Sequence, residues 1–243
     1  EADGSVKESF KFTQLTLIGF HLNILGRVVN GQLNNGMTKD VALNEINFIM
    51  DQLLAFQRDF GWNGLLPSFI DLSPRVAPLS PNVGFVDNVN LDGHLMIMGG
   101  ALKNTSLSAP EQEIENVILN KVETYLNNQI PGWEALVNPS TGLFRGGVDG
   151  NTGDFFDFDI NRFGFESRAV MATLLAYLKG RADIPDSVWT GLRGFFRFYT
   201  DRNGERIPEL GTFNGSAFQD SWNGLSLDEG ELGDVYENAA NNA

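Results

Sequence analysis

Apolar and polar positions at the start of the chain follow the period of a helix. From Val6 to Val29, apolar side chains recur at intervals of three and four, the spacing of one helical face. Gly31 and Gly36 then mark a turn, and Thr38 is a suitable N-cap for a second helix that Gly61 ends. Because two helices joined by a short turn pack side by side, the sequence predicts an antiparallel helical hairpin.

The same periodicity predicts four further helices, and two long loops separate some of them. The loops cover about 61–85 and 131–157, are rich in glycine and proline, and yet contain large aromatic residues. Loops of this length inside a folded domain commonly carry function. No sustained alternation typical of strands is present. The helices are expected at about 87–103, 110–129, 162–179 and 185–199.

Sequential helical hairpins with long loops at one end are typical of an all-α fold of the (α/α) toroid type, in which the long loops build a cleft. A compact helical bundle is the alternative. We expect residues 1–243 to form one such domain. Because a complete toroid has about twice as many helices, the chain forms either half a ring that something else completes or a smaller bundle. Its last stretch, LGDVYENAANNA, resembles a helix that is cut off.

Charge and composition narrow the possible partners. Asp and Glu outnumber Lys and Arg by 31 to 17, which gives a net charge of −14. This charge repels a nucleic-acid backbone and an anionic bilayer, whereas a neutral oligo- or polysaccharide is compatible with it. No apolar run is long enough for a membrane span. The start EADGSVKESF resembles a mature end left by signal-peptide removal, so we expect a secreted or periplasmic protein.

The residue inventory also restricts metal sites. The chain has no cysteine and two histidines, His21 and His94, so a zinc site is not expected and no cofactor is predicted. Two stretches could suit calcium by their oxygen-rich spacing, DGNTGDFFDFD from Asp149 and DRNGER from Asp201. Neither has the glycine and glutamate of an EF-hand loop in register. Each is therefore either an ordinary turn or a calcium site.

Four stretches, taken in order, carry a family resemblance: GWNGLLPSFIDL, VDNVNLDGHLMIMGGAL, RFGFESRAVMATLLAYL and GTFNGSAFQDSW. They resemble the landmarks of the bacterial glycoamylase-like (α/α)6-barrel family, which includes the endo-β-1,2-glucanases. The resemblance implies a toroidal glycoside hydrolase, with Glu166 as the acid-bearing position and Asp87 and Asp92 as carboxylates of the cleft. The family chain is nearly twice as long, so catalytic or sugar-binding groups from its second half would be missing here.

A second resemblance points to another acid. The stretch FDFDINR resembles the Tyr-Asp-x-x-Arg start of the base-bearing helix in a family of inverting toroidal glycosidases, and it implies Asp159 as the matching carboxylate. The two resemblances agree on the fold and on the substrate class. They differ on which carboxylate is catalytic.

Glycoside hydrolysis needs one carboxyl group that protonates the leaving oxygen and a second that activates water, about 6.5 to 9.5 Å apart in an inverting enzyme. We therefore predict inverting hydrolysis of a neutral glucan, with Glu166 as proton donor and Asp87 or Asp159 activating water. Local alternatives remain open. Glu166 could be a helix-entry carboxylate paired with Arg162, and Asp87 could be an N-cap.

Aromatic rings in the loops are candidates for stacking on sugar rings. Trp62 and Trp133 are favoured because both fall in predicted loops, and Phe155 and Phe156 are further candidates. The predicted substrate contacts are Trp62, Asp92, Trp133, Arg162 and Trp222.

A noncatalytic role is the competing hypothesis. A half-toroid could serve as a glycan-binding or assembly subunit that pairs with a second chain, or with another copy of itself, to close the ring. The predicted last helix carries Phe195, Phe196 and Phe198, an apolar edge that would favour such association.

Overall fold

A computed structural model describes residues 12–34, 36–72, 76–194, 196–200 and 202–210 of the chain. Helices dominate these segments, as predicted, and the strands are short. The helices are α1 Leu15–Val29, α2 Lys39–Phe60, α3 Phe85–Lys103, α4 Ala109–Asn128, α5 Ile130–Leu136, α6 Arg168–Leu178 and α7 Ser187–Thr190. The strands are β1 Phe12–Gln14, β2 Phe69–Asp71, β3 Ala77–Pro78, β4 Asn82–Gly84, β5 Gly147–Asp149, β6 Phe196–Thr200 and β7 Arg206–Leu210.

Side-chain hydrogen bonds cap the starts of α2 and α4. The Thr38 hydroxyl accepts a hydrogen bond from the Val41 amide (3.4 Å) at the start of α2, as the sequence predicts. At the start of α4, the Ser108 amide donates to Glu111 Oε2 (2.6 Å). Free amides at a helix start need such acceptors, so these boundaries follow from residues a few positions apart.

The larger helices form two rows. α1 packs on α3 and α3 packs on α6 in one row, α2 packs on α4 in the other, and α1 and α3 also contact α2 and α4 respectively. α3 lies in the middle of its row, and its residues 88–95 are all buried, polar ones such as Asn90 and Asp92 included. Paired rows of this kind are what an (α/α) toroid requires.

Glycines allow α3 to approach both of its neighbours closely. A Cβ added at Gly19 of α1 would lie 3.0 Å from Leu91 Cα, and one added at Gly93 of α3 would overlap the Val170 side chain of α6. The contact at Gly19 would be tight and that at Gly93 would not be possible without a shift, so the backbones of these helices approach closely because these positions are glycine.

The strands tie the long loops together. β1, β2 and β3 form an antiparallel sheet in that order, and β4 pairs with β5 in the register Asn82↔Asp149 to Gly84↔Gly147. The β4–β5 pair joins the loop before α3 to the loop before α6. Loops that are distant in sequence therefore share one face of the molecule.

Two apolar clusters fill the interior. One lies among α1 to α4. The other lies beneath the long loops and contains an aromatic group around Phe85, whose ring centroid is 5.0 Å from that of Phe144, 5.9 Å from that of Trp133 and 6.4 Å from that of Phe165. This aromatic group supports the segments that carry the predicted site residues.

α6 begins six residues later than predicted, at Arg168 instead of Arg162. The backbone just before α6 is hydrogen-bonded to a later segment: the Arg193 amide donates to Asn161 O (3.0 Å), and the Phe163 amide donates to Arg193 O (3.0 Å). Because Asn161 O accepts from Arg193 and the Phe165 amide donates to Phe163 O, the first bond that a helix starting at Arg162 needs does not form. Glu166 consequently lies in the turn that precedes the helix.

The helix predicted at 185–199 is also wrong. Helical structure is confined to α7, Gly191 follows it, and β6 pairs with β7 from Phe196↔Leu210 to Thr200↔Arg206. The FRFYT segment suits a strand because aromatic and β-branched residues favour pleated structure. Phe198 is exposed on this hairpin, under the Arg206 guanidinium (4.3 Å from Cζ to the ring centroid), and Phe195 lies outside the described residues.

The beginning of the chain differs in the same way. α1 starts at Leu15, because residues 12–14 pair with β2, and residues 1–11 lie outside the described part. Short strands are more frequent than the sequence indicated. None of the helices in the described segments has the length and apolarity that spanning a bilayer requires.

Candidate active site

A cavity of about 330 Å³ opens where the segment before α6 meets the start of α3. Three of the predicted site residues, Asp159, Arg162 and Glu166, lie along it. The full lining consists of Val86, Phe158, Asp159, Ile160, Asn161, Arg162, Phe165 and Glu166. The structure thus brings together two carboxylates and a guanidinium that sequence patterns had linked to sugar chemistry.

The backbone of Asp159 is held by its neighbour in the same long loop. The Gly146 amide donates to Phe158 O (2.8 Å), and the Ile160 amide donates to Phe144 O (2.7 Å). Phe144 is fully buried in the aromatic group. The backbone on either side of Asp159 therefore forms a short hydrogen-bonded ladder with residues 144–146, which begin at a core residue.

The carboxylate of Asp159 is held separately, by a turn. Asn138 Nδ2 donates to both of its oxygens (3.1 Å each), and Thr141 Oγ1 donates to Oδ2 (2.7 Å). Hydroxyl and amide donors of this kind suit an ionised carboxylate, which can only accept. The half-buried Asp159 side chain is thus oriented while part of it faces the cavity.

Glu166 lies two residues before the first residue of α6. Its predecessor Phe165 is buried in the aromatic group, and its successor Ser167 accepts the Met171 amide in the first turn of the helix (2.7 Å). Burial on either side fixes the backbone of Glu166, while its own side chain is half-buried at the cavity. A helix N-terminus also favours a nearby negative charge.

Asp87 does not line the cavity, although the adjacent Val86 does. Asp87 Oδ1 accepts hydrogen bonds from Gln14 Nε2 (2.7 Å) and Thr16 Oγ1 (2.8 Å), and Thr16 Oγ1 in turn accepts from Asn90 Nδ2 (3.1 Å). The carboxylate therefore links the first turn of α3 to the start of α1. The N-cap role that the sequence left open for Asp87 is wrong, because Gly84 is the N-cap of α3 and Asp87 lies in its first turn.

Asp92 and Trp133 are both fully buried, and they bind each other: Trp133 Nε1 donates to Asp92 Oδ2 (3.2 Å). The prediction that Trp133 lies in a loop is wrong, because it belongs to α5. Its ring packs on Phe85 and Phe144 and has no exposed face for a sugar. The expected cleft position of Asp92 is wrong for the same reason, since the side chain has no exposed surface.

The other aromatic residues considered for sugar stacking lie in different places. Trp62 is half-buried in the loop after α2, with its ring edge-on to Phe155 (centroids 6.0 Å apart). Trp222 lies outside the described residues. Phe156 and Phe158 stack on each other (centroids 6.1 Å apart), and Phe158 is 55% exposed at the cavity.

Burial shifts the pKa values of two titratable residues of α3, Asp92 and His94. Burial raises the pKa of Asp92 well above its ordinary value, and the neighbouring Gln129 and Trp133 side chains lower it by less. Burial, and then the positive charge of Arg27, lower the pKa of His94 to about 4. His94 Nδ1 is 3.1 Å from Asn23 Nδ2. Both groups are therefore favoured in their neutral forms and belong to the core.

The first calcium-like stretch forms a turn. Asp149 Oδ1 accepts hydrogen bonds from the amides of Asn151 (2.8 Å) and Thr152 (3.1 Å), a local pattern typical of Asp in turns. In the second stretch Asp201 lies outside the described residues. Within the part of the chain that is described, no three Asp, Glu or His side chains are grouped so that they could hold a metal ion.

A larger cavity, about 510 Å³, lies between α6 and α7. Its lining is mainly apolar, with Lys179 and Asp186 as the charged members, and none of the predicted site residues lies along it. Without a pair of carboxylates it does not offer the chemistry of glycoside hydrolysis.

Sequence reasoning missed three residues of the site. Asn138 and Thr141 looked like ordinary turn residues, and only their contacts with Asp159 distinguish them. Phe158 alternates with acids in FDFD, and that alternation was the available signal that it could face a cavity beside Asp159.

Comparisons with known proteins agree on the fold. No protein-family model and no curated protein matches the sequence. Two solved structures of an endo-β-1,2-glucanase from Talaromyces funiculosus, one with sophorose and one of a glutamate-to-glutamine mutant with β-1,2-glucan, are similar in fold. Each has a TM-score of 0.72 at 13% sequence identity and covers 90% of this chain. The predicted (α/α) toroid-type fold is confirmed by this likeness.

The match is limited in extent. The chain spans 48% of the glucanase chain, about half its length. At such low identity the likeness establishes the fold and leaves the activity to be argued from the site.

Proposed function

We propose that this protein is a glycoside hydrolase that acts on a neutral β-glucan by an inverting mechanism. The observation that carries the proposal is the presence of Asp159 and Glu166 along one cavity at the loop-rich face of a toroid-type fold. The substrate class is supported by the fold likeness to a glucanase that binds sophorose and β-1,2-glucan.

In the proposed reaction Glu166 is the proton donor and Asp159 activates water. The water oxygen bonds to the anomeric carbon while Asp159 takes its proton; the bond from that carbon to the leaving oxygen breaks, and Glu166 protonates the leaving oxygen. Asp159 suits the water-activating role because its partners among the described side chains, Asn138 and Thr141, are both hydrogen-bond donors. Asp87 is assigned a structural role, since its contacts are with Gln14 and Thr16.

The neighbouring groups of the cavity suit a sugar. The exposed Phe158 ring provides an apolar face on which a pyranose can stack, and the Phe156 ring supports it from behind. Arg162 lies along the same cavity and can bind sugar hydroxyls as a hydrogen-bond donor. Trp62 does not line this cavity, but its half-buried ring in the loop after α2 stays a proposed sugar contact.

A panel of linear β-glucans of different linkage, with β-1,2-glucan included, tests the proposal by the release of new reducing ends. Glu166→Gln should lower kcat by about 100-fold or more, because it removes the proton donor while keeping the shape of the side chain. Glu113→Gln, the same change at an exposed position of α4, is the matched control and should behave like the wild type. Undiminished hydrolysis by Glu166→Gln would remove Glu166 from the role.

A noncatalytic glycan-binding or assembly subunit is the second candidate. It is favoured by one observation, that the chain covers only 48% of the toroidal glucanase it resembles. In that case a second chain or a second copy would complete the ring. Retention on an immobilised β-glucan without release of reducing ends from any substrate would favour this candidate over hydrolysis.

A further inference from the structure

Both oxygens of the Asp159 carboxylate, in the cavity lining, are held by one turn. The turn covers residues 138–143, and within it the Asn138 amide donates to Leu143 O (2.8 Å) and the Gly142 amide donates to Asn138 O (2.8 Å). It presents one amide and one hydroxyl side chain to the carboxylate. We propose that Asn138 and Thr141 are positioning residues that orient Asp159 toward the water it activates; this inference rests on the proposed function.

The hydrogen bonds leave the two oxygens unequal. Oδ2 accepts from both Asn138 and Thr141, whereas Oδ1 accepts from Asn138 alone among the described residues. A carboxylate oxygen has about two acceptor positions, so Oδ2 is filled and Oδ1 keeps one free. Oδ1 is therefore the atom that takes the proton from water. Rotation of the carboxylate out of this plane would lose the short Thr141 contact, so the oxygen that does not bind Thr141 stays the one that can accept from water.

The turn at residues 138–143 is held in place by α7 and by the buried Phe144, and this fixes the orientation that it gives to the Asp159 carboxylate. Ser187 Oγ at the start of α7 donates to Gly142 O (2.7 Å). Gly142 has a φ of 68°, a conformation that suits glycine, and a Cβ there would overlap Ser187 Oγ. The next residue but one, Phe144, is fully buried. An exposed hydroxyl at Thr141 is thus held at a constant place relative to Asp159.

A matched pair of substitutions isolates the hydroxyl. Thr141→Val keeps the shape and removes the donor, while Thr141→Ser keeps the donor and removes a methyl group. With the glucan that the wild type hydrolyses, Thr141→Val should lower kcat by about 10-fold with KM within about twofold, because misoriented acid–base groups lose part of their contribution. Thr141→Ser should restore kcat to near the wild-type value. Ser140→Ala, at an exposed position of the same turn, is the control and should not change kcat.

The outcomes separate the two proposals. If the wild type hydrolyses a glucan and Thr141→Val matches it in kcat, the positioning role is overturned and the proposed function stands. If kcat falls equally in Thr141→Val and Thr141→Ser, the hydroxyl is not responsible and the role is likewise overturned. If the wild type hydrolyses no glucan, the proposed function fails and the positioning role fails with it. Asn138→Ala, which removes the other donor, should lower kcat with little change in KM and provides a second variant if Thr141→Val folds poorly.

Discussion

The indole Nε1 of Trp133 donates a hydrogen bond to Oδ2 of Asp92 at 3.2 Å, inside the protein and out of contact with solvent. Both residues had been predicted to contact substrate. The bond instead joins α3 to α5 beneath the long loops, beside Gln129 and Tyr125, which are also fully buried. A polar group buried in this way stabilises the fold only while it remains uncharged or well paired.

The raised pKa of Asp92 predicts a dependence of stability on pH. Because burial favours the protonated carboxyl in the folded state, the stabilisation is complete below the ordinary pKa of 3.8 and is lost as pH rises through the raised value. Asp92→Asn cannot ionise, so the urea midpoint of this variant should fall less than that of the wild type as pH increases above about 4. Asp154→Asn, at an exposed position, is the control. Equal slopes for Asp92→Asn and the wild type would contradict the assignment.

The lowered pKa of His94 predicts the opposite slope, with stability that decreases as the pH falls from 6.5 to about 4. Its folded pKa of about 4 lies below the ordinary 6.5, so its contribution is complete above 6.5 and is lost as pH falls toward 4. The loss is on the order of 3 kcal/mol, since each unit of pKa is about 1.4 kcal/mol. His94→Gln should show a smaller loss of free energy of unfolding between about pH 6.5 and 4, measured by urea titration. A loss as large in His94→Gln as in the wild type would contradict the role assigned to His94.

Substitution of two α3 glycines by alanine should change the free energy of unfolding in opposite directions. At Gly93 a Cβ would overlap Val170 of α6, so Gly93→Ala should destabilise the protein by about 1–3 kcal/mol through overpacking. At Gly100 nothing lies within 4 Å of an added Cβ, so Gly100→Ala should stabilise by about 0.5 kcal/mol through helix propensity. Urea unfolding of both variants provides the measurement. Similar effects at the two positions would show that α3 and α6 do not approach as described.

Phe158 should determine how tightly a glucan binds. Phe158→Ala removes the exposed ring at the cavity, so KM should rise by about 5-fold or more while kcat changes less, because a stacked ring contributes about 1 kcal/mol or more. Phe158→Tyr keeps the ring and should bind nearly as the wild type does. Phe48→Ala, which removes an exposed ring from α2, is the control. An unchanged KM in Phe158→Ala would exclude stacking on this ring.

The sequence by itself determined the helices whose signals are local. Apolar spacing and nearby caps are sufficient for α2 and α4, because the residues that define each of them lie within a few positions, as with Thr38 and Val41. The order of short motifs indicated the toroid, which the fold likeness confirms. Composition indicated which partners the charge disfavours, since net charge does not depend on the fold.

Only the tertiary structure decided where the long loops lie and what each acid contacts. α6 starts late because Arg193 pairs with Asn161 and Phe163, and FRFYT is a strand because a partner strand is present. The same is true of the acids: Asp92 is buried and Asp87 faces α1, while Asp159 reaches the cavity. Burial and hydrogen bonding depend on segments that are far apart in sequence, so neighbouring residues carry no signal for them.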